Sequence, residues 1–330
     1  MPPTMSINVK SAEPADPMQT FLWFAGWPQA KVTPLAGDAS QRRYFRVVQG
    51  SRTGVLMDAS SCPSSVPPFV RMDEHLRRLG FSAPKILARD VPRGWLLLED
   101  FGDRTFAQLL DSGAEPRELF ELATDLLISL HRNSDAVPAG LRVYSPEQML
   151  HDIELFLEWR TPGIPAAEQE EFRRAWSEVL PLAHAAPQSL LLRDYHVANL
   201  MLLPESAGVQ RVGLLDFQDA YAGPVTYDLV SLLEDARREL PPGLREEMLA
   251  RYRDAFPGLE RDAFDQSVAI AAAQRHTRVL AIFERLSRKE QKHQYKESHS
   301  ARVERRLQTA LQHPTLAPVR TWMNRHGTAH

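Results

Sequence analysis

Cysteine is almost missing from this chain: Cys62 is the single one in 330 residues. That excludes a disulfide scaffold and any multi-cysteine zinc or iron–sulfur site, and fits a reducing compartment. Lysine is scarce as well, six residues against 33 arginines. None of the six follows a glycine, so there is no Walker loop, and no two of the 16 glycines are spaced Gly-x-Gly, so there is no dinucleotide fingerprint. No segment approaches the roughly 20 apolar residues that span a bilayer. The start, Met1 to Met18, is proline-rich with Glu13 and Asp16 and lacks a basic stretch followed by an apolar run, so no signal peptide is expected. A formal net charge of −3 exerts no overall pull toward nucleic acid or anionic membrane. The expectation is a soluble cytoplasmic protein with neither partner. The composition leaves its oligomeric state open.

What is present is ordinary globular composition, 43% hydrophobic and 25% charged, long enough for two domains. Residues 1–18 read as a flexible leader. From Val32 to Asp58, short apolar runs alternate with Gly37-Asp38-Ala39-Ser40 and Gly50-Ser51-Arg52-Thr53-Gly54, the pattern of antiparallel hairpins. Cys62 to Pro68 is expected to be loop. Phe69 to Leu79 carries a helical period closed by Gly80. Ile86-Leu87 and Trp95–Leu98 read as two more strands. After Gly102 the chain turns helical: Pro116 to His131, a capped start at Ser145-Pro146-Glu147-Gln148 running to about Trp159, and 167–180, 226–238, 244–256, 262–288 and 293–312. The reading is an α+β, two-lobed protein: a small antiparallel β lobe with one helix (19–101), a linker near 99–104, and a larger, mainly helical lobe (102–330), with a ligand expected in the cleft.

One stretch, Leu190 to Ala220, interrupts the helices and carries the chemistry. Two apolar runs flank the turn Pro204–Gly208, predicting a hairpin that brings Asn199 beside Asp216, with Asp194 on the loop just before. An amide and a carboxylate oxygen suit Mg²⁺, which prefers hard oxygen ligands completed by phosphate. A further aspartate nearby is placed to take a proton from an attacking hydroxyl.

Arg193-Asp194 with Asn199 five positions beyond the aspartate resembles the kinase catalytic loop, and Asp216-Phe217 its metal-binding pair, with Gln218 where protein kinases have glycine. Gly223-Pro224 and Asp228-Leu229 after it, and the lack of an Ala-Pro-Glu segment, resemble the aminoglycoside phosphotransferase and choline kinase branch. Arg193-Asp194-Tyr195-His196, Leu214–Ala220, Thr226–Leu233, Gly37–Ser40 with Arg42–Arg46, Leu56-Met57-Asp58 and His313-Pro314 to Trp322 further resemble bacterial anomeric sugar kinases of cell-wall recycling, over roughly residues 20–325. The resemblance implies a protein-kinase-like fold and transfer of phosphoryl from ATP to the anomeric hydroxyl of an amino sugar, N-acetylmuramate or N-acetylglucosamine. It implies Asp194 as catalytic base and Asn199 and Asp216 as Mg²⁺ ligands. Gly37, Asp38, Ala39 and Ser40 would cover the nucleotide phosphates, and the backbone of Glu99, Asp100 and Phe101 would meet adenine. Asp228 would brace the catalytic loop.

The chain departs from the kinase pattern at one strand. Val55-Leu56-Met57-Asp58 stands where a phosphate-binding lysine is normal, and no lysine lies between Lys31 and Lys85. The acid that usually pairs with it would be Asp73 or Glu74. Arg42, Arg43, Arg46 and Arg71 are the candidate replacements, since guanidinium grips phosphate bidentately. The departure also keeps a nucleotide-binding pseudokinase in view, beside a kinase for choline, homoserine or an aminoglycoside. Other candidates have plainer readings alongside. His196 contacts substrate or is structural; Gln218 and Asp219 face the sugar or form a turn. Arg160 pairs with the lactyl carboxylate of N-acetylmuramate or caps its helix. His326 and His330 fall in a tail expected to fray.

Overall fold

The computed structural model of the chain describes residues 16–35 and 41–327. Two compact units emerge: one takes the chain to Asp73 together with Pro84–Gly102, the other Glu74–Ala83 together with everything from Asp103. Among the described residues no helix is long and apolar enough to cross a membrane.

The first unit is built on a five-stranded antiparallel sheet. Its elements are α1 (Pro17–Phe24), β1 (Lys31–Pro34), β2 (Arg43–Gln49), β3 (Arg52–Asp58), the start of α2 (Val66–Arg78), β4 (Ile86–Asp90) and β5 (Trp95–Glu99), with strand order β1-β2-β3-β5-β4. Helix α1 starts inside the segment read as leader. Its start signal is Asp16, whose carboxylate accepts from the Met18 amide, with proline at the first helical position. Leu22 of α1 and Trp27 pack against Val47, Leu56 and Leu97 of the sheet. The expected loop over Cys62–Pro68 is also corrected. Pro63–Ser65 forms a single 3₁₀ turn, and α2 already begins at Val66, because prolines in a first helical turn have no N–H to leave unpaired.

The second unit reaches back for Glu74–Ala83, which the sequence reading left with the first. Ser82 explains it: its carbonyl accepts from the Leu214 amide at 2.7 Å and its hydroxyl donates to the Gln210 carbonyl at 2.8 Å. The elements are α3 (Phe106–Asp111), α4 (Pro116–Arg132), α5 (Pro146–Trp159), α6 (Ala166–Val179), β6 (Gln188–Leu191), β7 (Leu200–Leu202), β8 (Val212–Leu214), β9 (Tyr221–Pro224), α7 (Thr226–Leu233), α8 (Leu244–Asp254), α9 (Arg261–Glu290), α10 (His293–Ala310) and α11 (Ala317–His326). Strands β7 and β8 form the expected hairpin, and β6 pairs with β9. A Cβ at Gly223 of β9 would lie 2.7 Å from Leu191, so glycine lets these two strands close. Helix α9 is the axis, packed against α5, α7 and α10. Phe156, Phe172 and Trp322 stack where α5, α6 and α11 meet.

Two helical expectations are shortened or revised. Helix α7 stops at Leu233, not 238, because Glu234 leaves the helix to meet His276 at 2.6 Å and Arg245 at 2.7 Å. His326 does not fray: it closes α11 with its ring against Trp322 and Nε2 2.9 Å from Glu168. His330 lies outside the described residues.

Candidate active site

The second unit gathers Asp194, Asn199 and Asp216 at one edge of the β7–β8 hairpin. The Leu215 amide donates to the Asn199 carbonyl at 3.0 Å, which aligns the two strand ends, and Asn199 Nδ2 lies 3.4 Å from Asp216 Oδ2. Asn199 Nδ2 also donates to the Asp194 carbonyl at 2.9 Å and faces His196 Nε2 at 3.4 Å. With its NH₂ turned to these acceptors, the amide has its carbonyl oxygen left for a cation. Asp216 adopts the left-handed backbone, φ 59°, a strained conformation for a side-chain-bearing residue and one that clusters at functional sites. Gln218 Nε2 bridges Asp216 Oδ1 (2.8 Å) and Asp219 Oδ2 (3.2 Å), so Gln218 and Asp219 join the metal-side carboxylate.

Among the described residues no three His, Cys, Asp or Glu side chains are grouped to hold a metal. Asn199 and Asp216 instead bring one amide and one carboxylate, both hard oxygen donors, side by side. That fits Mg²⁺, which usually takes one or two protein oxygens and completes its shell with water and substrate phosphate.

Asp194 stands apart from this pairing. Its half-buried carboxylate has no hydrogen-bond or ion-pair partner among the described residues. Burial pushes its pKa up, but the guanidiniums of Arg275 and Arg278, with His196 and Arg193, outweigh burial and hold it below the ordinary value. The group is therefore an ionised acceptor presented to whatever enters.

The loop that presents it is tightly held. Arg193 is left-handed, φ 68°, and the Asp194 amide turns back to the Leu192 carbonyl at 2.9 Å. Asp228, in the first turn of α7 and wholly buried, accepts from the Leu192 amide (2.5 Å) and the Arg193 amide (2.9 Å). Burial raises the Asp228 pKa to about 7 against those two bonds. The Arg193 side chain is fixed by Asp152 at 2.6 Å and lies over the rings of Tyr144 and Tyr221.

His196 is buried and its Nδ1 has no partner, while Nε2 faces Asn199. Burial holds its pKa below the usual imidazole value, so the neutral ring can accept from the Asn199 amide. Arg160 is not part of this group: it caps α5, and its buried guanidinium meets Glu304 at 2.7 Å and Glu284 at 3.9 Å.

In the first unit, Gly37, Asp38, Ala39 and Ser40 lie outside the described residues. Arg43 pairs with Asp58 at 2.5 Å, and Arg46 with Asp100 at 2.9 Å and with the Gly102 carbonyl at 3.1 Å. Two of the four candidate phosphate ligands thus already meet a carboxylate. The Glu99 amide donates to the Lys85 carbonyl at 2.8 Å. Met57 is fully buried opposite Tyr44 and Leu96, and of the two candidate acids Asp73 is buried and Glu74 exposed.

Sequence reasoning missed Arg275, Arg278, Asp152 and Tyr227. All four lie on helices whose existence was legible, but which face meets Asp194 depends on packing, and no local spacing signals it.

The chain is similar to known proteins along most of its length. The sequence pattern of the phosphotransferase enzyme family matches residues 31–264. The chain is 31% identical over 344 residues to an N-acetylmuramate/N-acetylglucosamine kinase of Caulobacter vibrioides, covering 93% of this chain and 94% of that one. It is 34% identical over 309 residues to the protein of the same name from Pseudomonas aeruginosa, covering 89% of each. A choline/ethanolamine kinase family protein from Mesorhizobium loti shares the fold, with a TM-score of 0.62 at 18% identity over 93% of this chain and 96% of that one. The catalytic-loop spacing, the hairpin that joins its amide to a second aspartate, and likeness along nearly the whole chain converge: this chain belongs to the phosphotransferase enzyme family.

Proposed function

We propose that the protein is an ATP-dependent kinase that phosphorylates the anomeric hydroxyl of N-acetylmuramate and N-acetylglucosamine. The observation that carries the reading is Asp194, an ionised, half-buried carboxylate with no hydrogen-bond or ion-pair partner among the described residues, one loop turn from Asn199 and Asp216. The choice of amino sugar rests on the names of the relatives.

In this reading Asp194 accepts a hydrogen bond from the sugar hydroxyl and orients its oxygen toward the γ-phosphorus. The new O–P bond forms as the bond to the β-phosphate oxygen breaks; the proton passes to Asp194 and ADP leaves. A carboxylate held below its ordinary pKa is a weak base, which suits a loose phosphoryl transition state where positioning matters more than early deprotonation. Asn199 and Asp216 would hold Mg²⁺, which supplies charge neutralisation at the phosphates. Gln218 keeps the Asp216 carboxylate in place, and Asp228 keeps Asp194 at the tip of its turn.

A coupled ADP-release assay with N-acetylmuramate, N-acetylglucosamine and a panel of other alcohols, including choline and homoserine, tests the reading. Turnover of the two sugars is expected, with Asp194→Asn lowering kcat by roughly 100- to 10,000-fold. Turnover of neither sugar overturns the acceptor assignment, and full activity in Asp194→Asn overturns the mechanism. The absence of a strand lysine favours one rival, a pseudokinase, whose signature is nucleotide binding with no turnover on the whole panel.

A further inference from the structure

A guanidinium stays charged at every relevant pH, so burying one demands a counter-charge or a ligand. The enclosed arginines here mostly follow the rule. Arg160 meets Glu304 and Glu284, Arg193 meets Asp152, and Arg306 meets Glu239 and two carbonyls. Arg275 on α9 does not. It is 7% exposed; among the described residues no carboxylate lies at ion-pair distance, and its hydrogen bond there is a long one, Nη1 to the Arg193 carbonyl at 3.4 Å. None of its nitrogens is sealed from solvent as a buried orphan. Its guanidinium lies 5.7 Å from the centre of the Tyr227 ring, and the Tyr227 hydroxyl is buried with no partner among the described residues. One helical turn on, Arg278 reaches Asp152 only at 3.6 Å. Two guanidiniums thus collect beside the Asp194 carboxylate, and of the two only Arg278 has a carboxylate at ion-pair distance among the described residues.

We infer that Arg275 is a specificity-determining residue that binds a carboxylate on the acceptor, making the site one for anionic sugars in preference to neutral ones. The inference rests on the kinase reading above and names what that same site selects. A planar guanidinium grips a carboxylate bidentately, and a desolvated one does so strongly. Two oxyanions come near Asp194 during the reaction, the transferred phosphoryl group and any anion of the acceptor. The phosphate end belongs to Asn199 and Asp216, which follow Asp194 in the chain. Arg275 touches the carbonyl of Arg193, which precedes it, and the ring of Tyr227. That places it with the acceptor. N-Acetylmuramate differs from N-acetylglucosamine by a lactyl ether on O3, two ring carbons from the anomeric centre, so the two sugars isolate this charge.

The test compares kcat/KM for both sugars in the wild type, Arg275→Gln and Arg275→Lys. In Arg275→Gln the preference for N-acetylmuramate over N-acetylglucosamine should fall roughly 10- to 100-fold, with KM for N-acetylmuramate carrying most of the loss. Arg275→Lys should restore part of the preference, because it keeps the charge. Equal losses for both sugars would assign Arg275 to the phosphoryl group or to Asp194 and overturn the inference; so would an unchanged preference. Because a buried substitution can impair folding, residual turnover of N-acetylglucosamine serves as the internal control for a folded site. Calorimetric titration of N-acetylmuramate separates the two readings. Binding lost in Arg275→Gln, with neither sugar turned over by the wild type, removes the kinase reading and keeps the anion site. Neither binding nor turnover in the wild type removes both.

Discussion

Asp228 accepts the backbone amide of Arg193 at 2.9 Å while Arg193 sits in a left-handed conformation. The strained turn that aims Asp194 is therefore held from below by one buried carboxylate, whose other oxygen takes the Leu192 amide. Asparagine has one acceptor oxygen where aspartate has two. Asp228→Asn should leave one of these amides without an acceptor and turn an NH₂ group toward it. The expected cost is about 1–3 kcal/mol in urea unfolding, with a fall in kcat as the loop loosens. An unchanged midpoint would mean that the two amides find other partners and that the brace is dispensable.

The juxtaposition of the three candidate residues could be read without coordinates because it is local. Asp194, Asn199 and Asp216 lie on one loop and one hairpin, and strand alternation with a Pro/Ser/Gly turn is enough to juxtapose them. The face of α9 that carries Arg275 and Arg278 was not legible, since its helical period marks burial but not which neighbour lies opposite. Arg43 and Arg46 looked available for phosphate for the same reason. Their acids, Asp58 and Asp100, are brought alongside by sheet pairing and the chain beyond β5, not by sequence proximity. Helix α1 was hidden by its prolines, which read as a leader although one of them occupies the first helical position behind an aspartate cap. Helix α3 was also passed over, although Thr105 and Gln108 form a complete capping box at its start.

Asn199 faces three acceptors with its NH₂ group, and in the proposed reading its carbonyl would hold the cation. Removing divalent cations with EDTA should abolish turnover, and Mg²⁺ should restore it. Asn199→Ala should raise the Mg²⁺ concentration for half-maximal rate by about tenfold or more, the scale expected when a metal's supporting oxygen is lost. An identical Mg²⁺ dependence in the variant would take Asn199 out of the metal site.

Met57 occupies the strand position where a kinase lysine is expected, yet it is fully buried between Tyr44 and Leu96. Met57→Lys would put an ammonium among apolar neighbours with no carboxylate opposite in the strand register. The variant should lose about 2–5 kcal/mol of stability and gain no nucleotide affinity. Thermal unfolding and nucleotide titration decide it. A stable Met57→Lys protein with tighter nucleotide binding would show that the position has kept its phosphate-facing geometry and lacks only the charge.

His131 ties the catalytic strand to the helices behind it. One ring nitrogen lies 2.7 Å from the Tyr252 hydroxyl and the other 3.2 Å from the Leu190 carbonyl of β6. Burial lowers its pKa to about 4, only partly opposed by the bond to Leu190, so the folded protein keeps this ring neutral while the unfolded chain protonates it near 6.5. Between these values the unfolded state binds more protons, so stability rises with pH across the window and is lost as pH falls from 6.5 toward 4. From pH 7 to pH 5 this one group should remove about 2 kcal/mol. His131→Gln has no proton to take up in that range and offers a donor and an acceptor of its own. Urea unfolding at both pH values should show a shallower pH dependence for the variant than for the wild type, whatever the variant's absolute stability. Parallel pH dependences would mean that the buried ring already carries its proton in the folded state, against both the burial and the bond geometry.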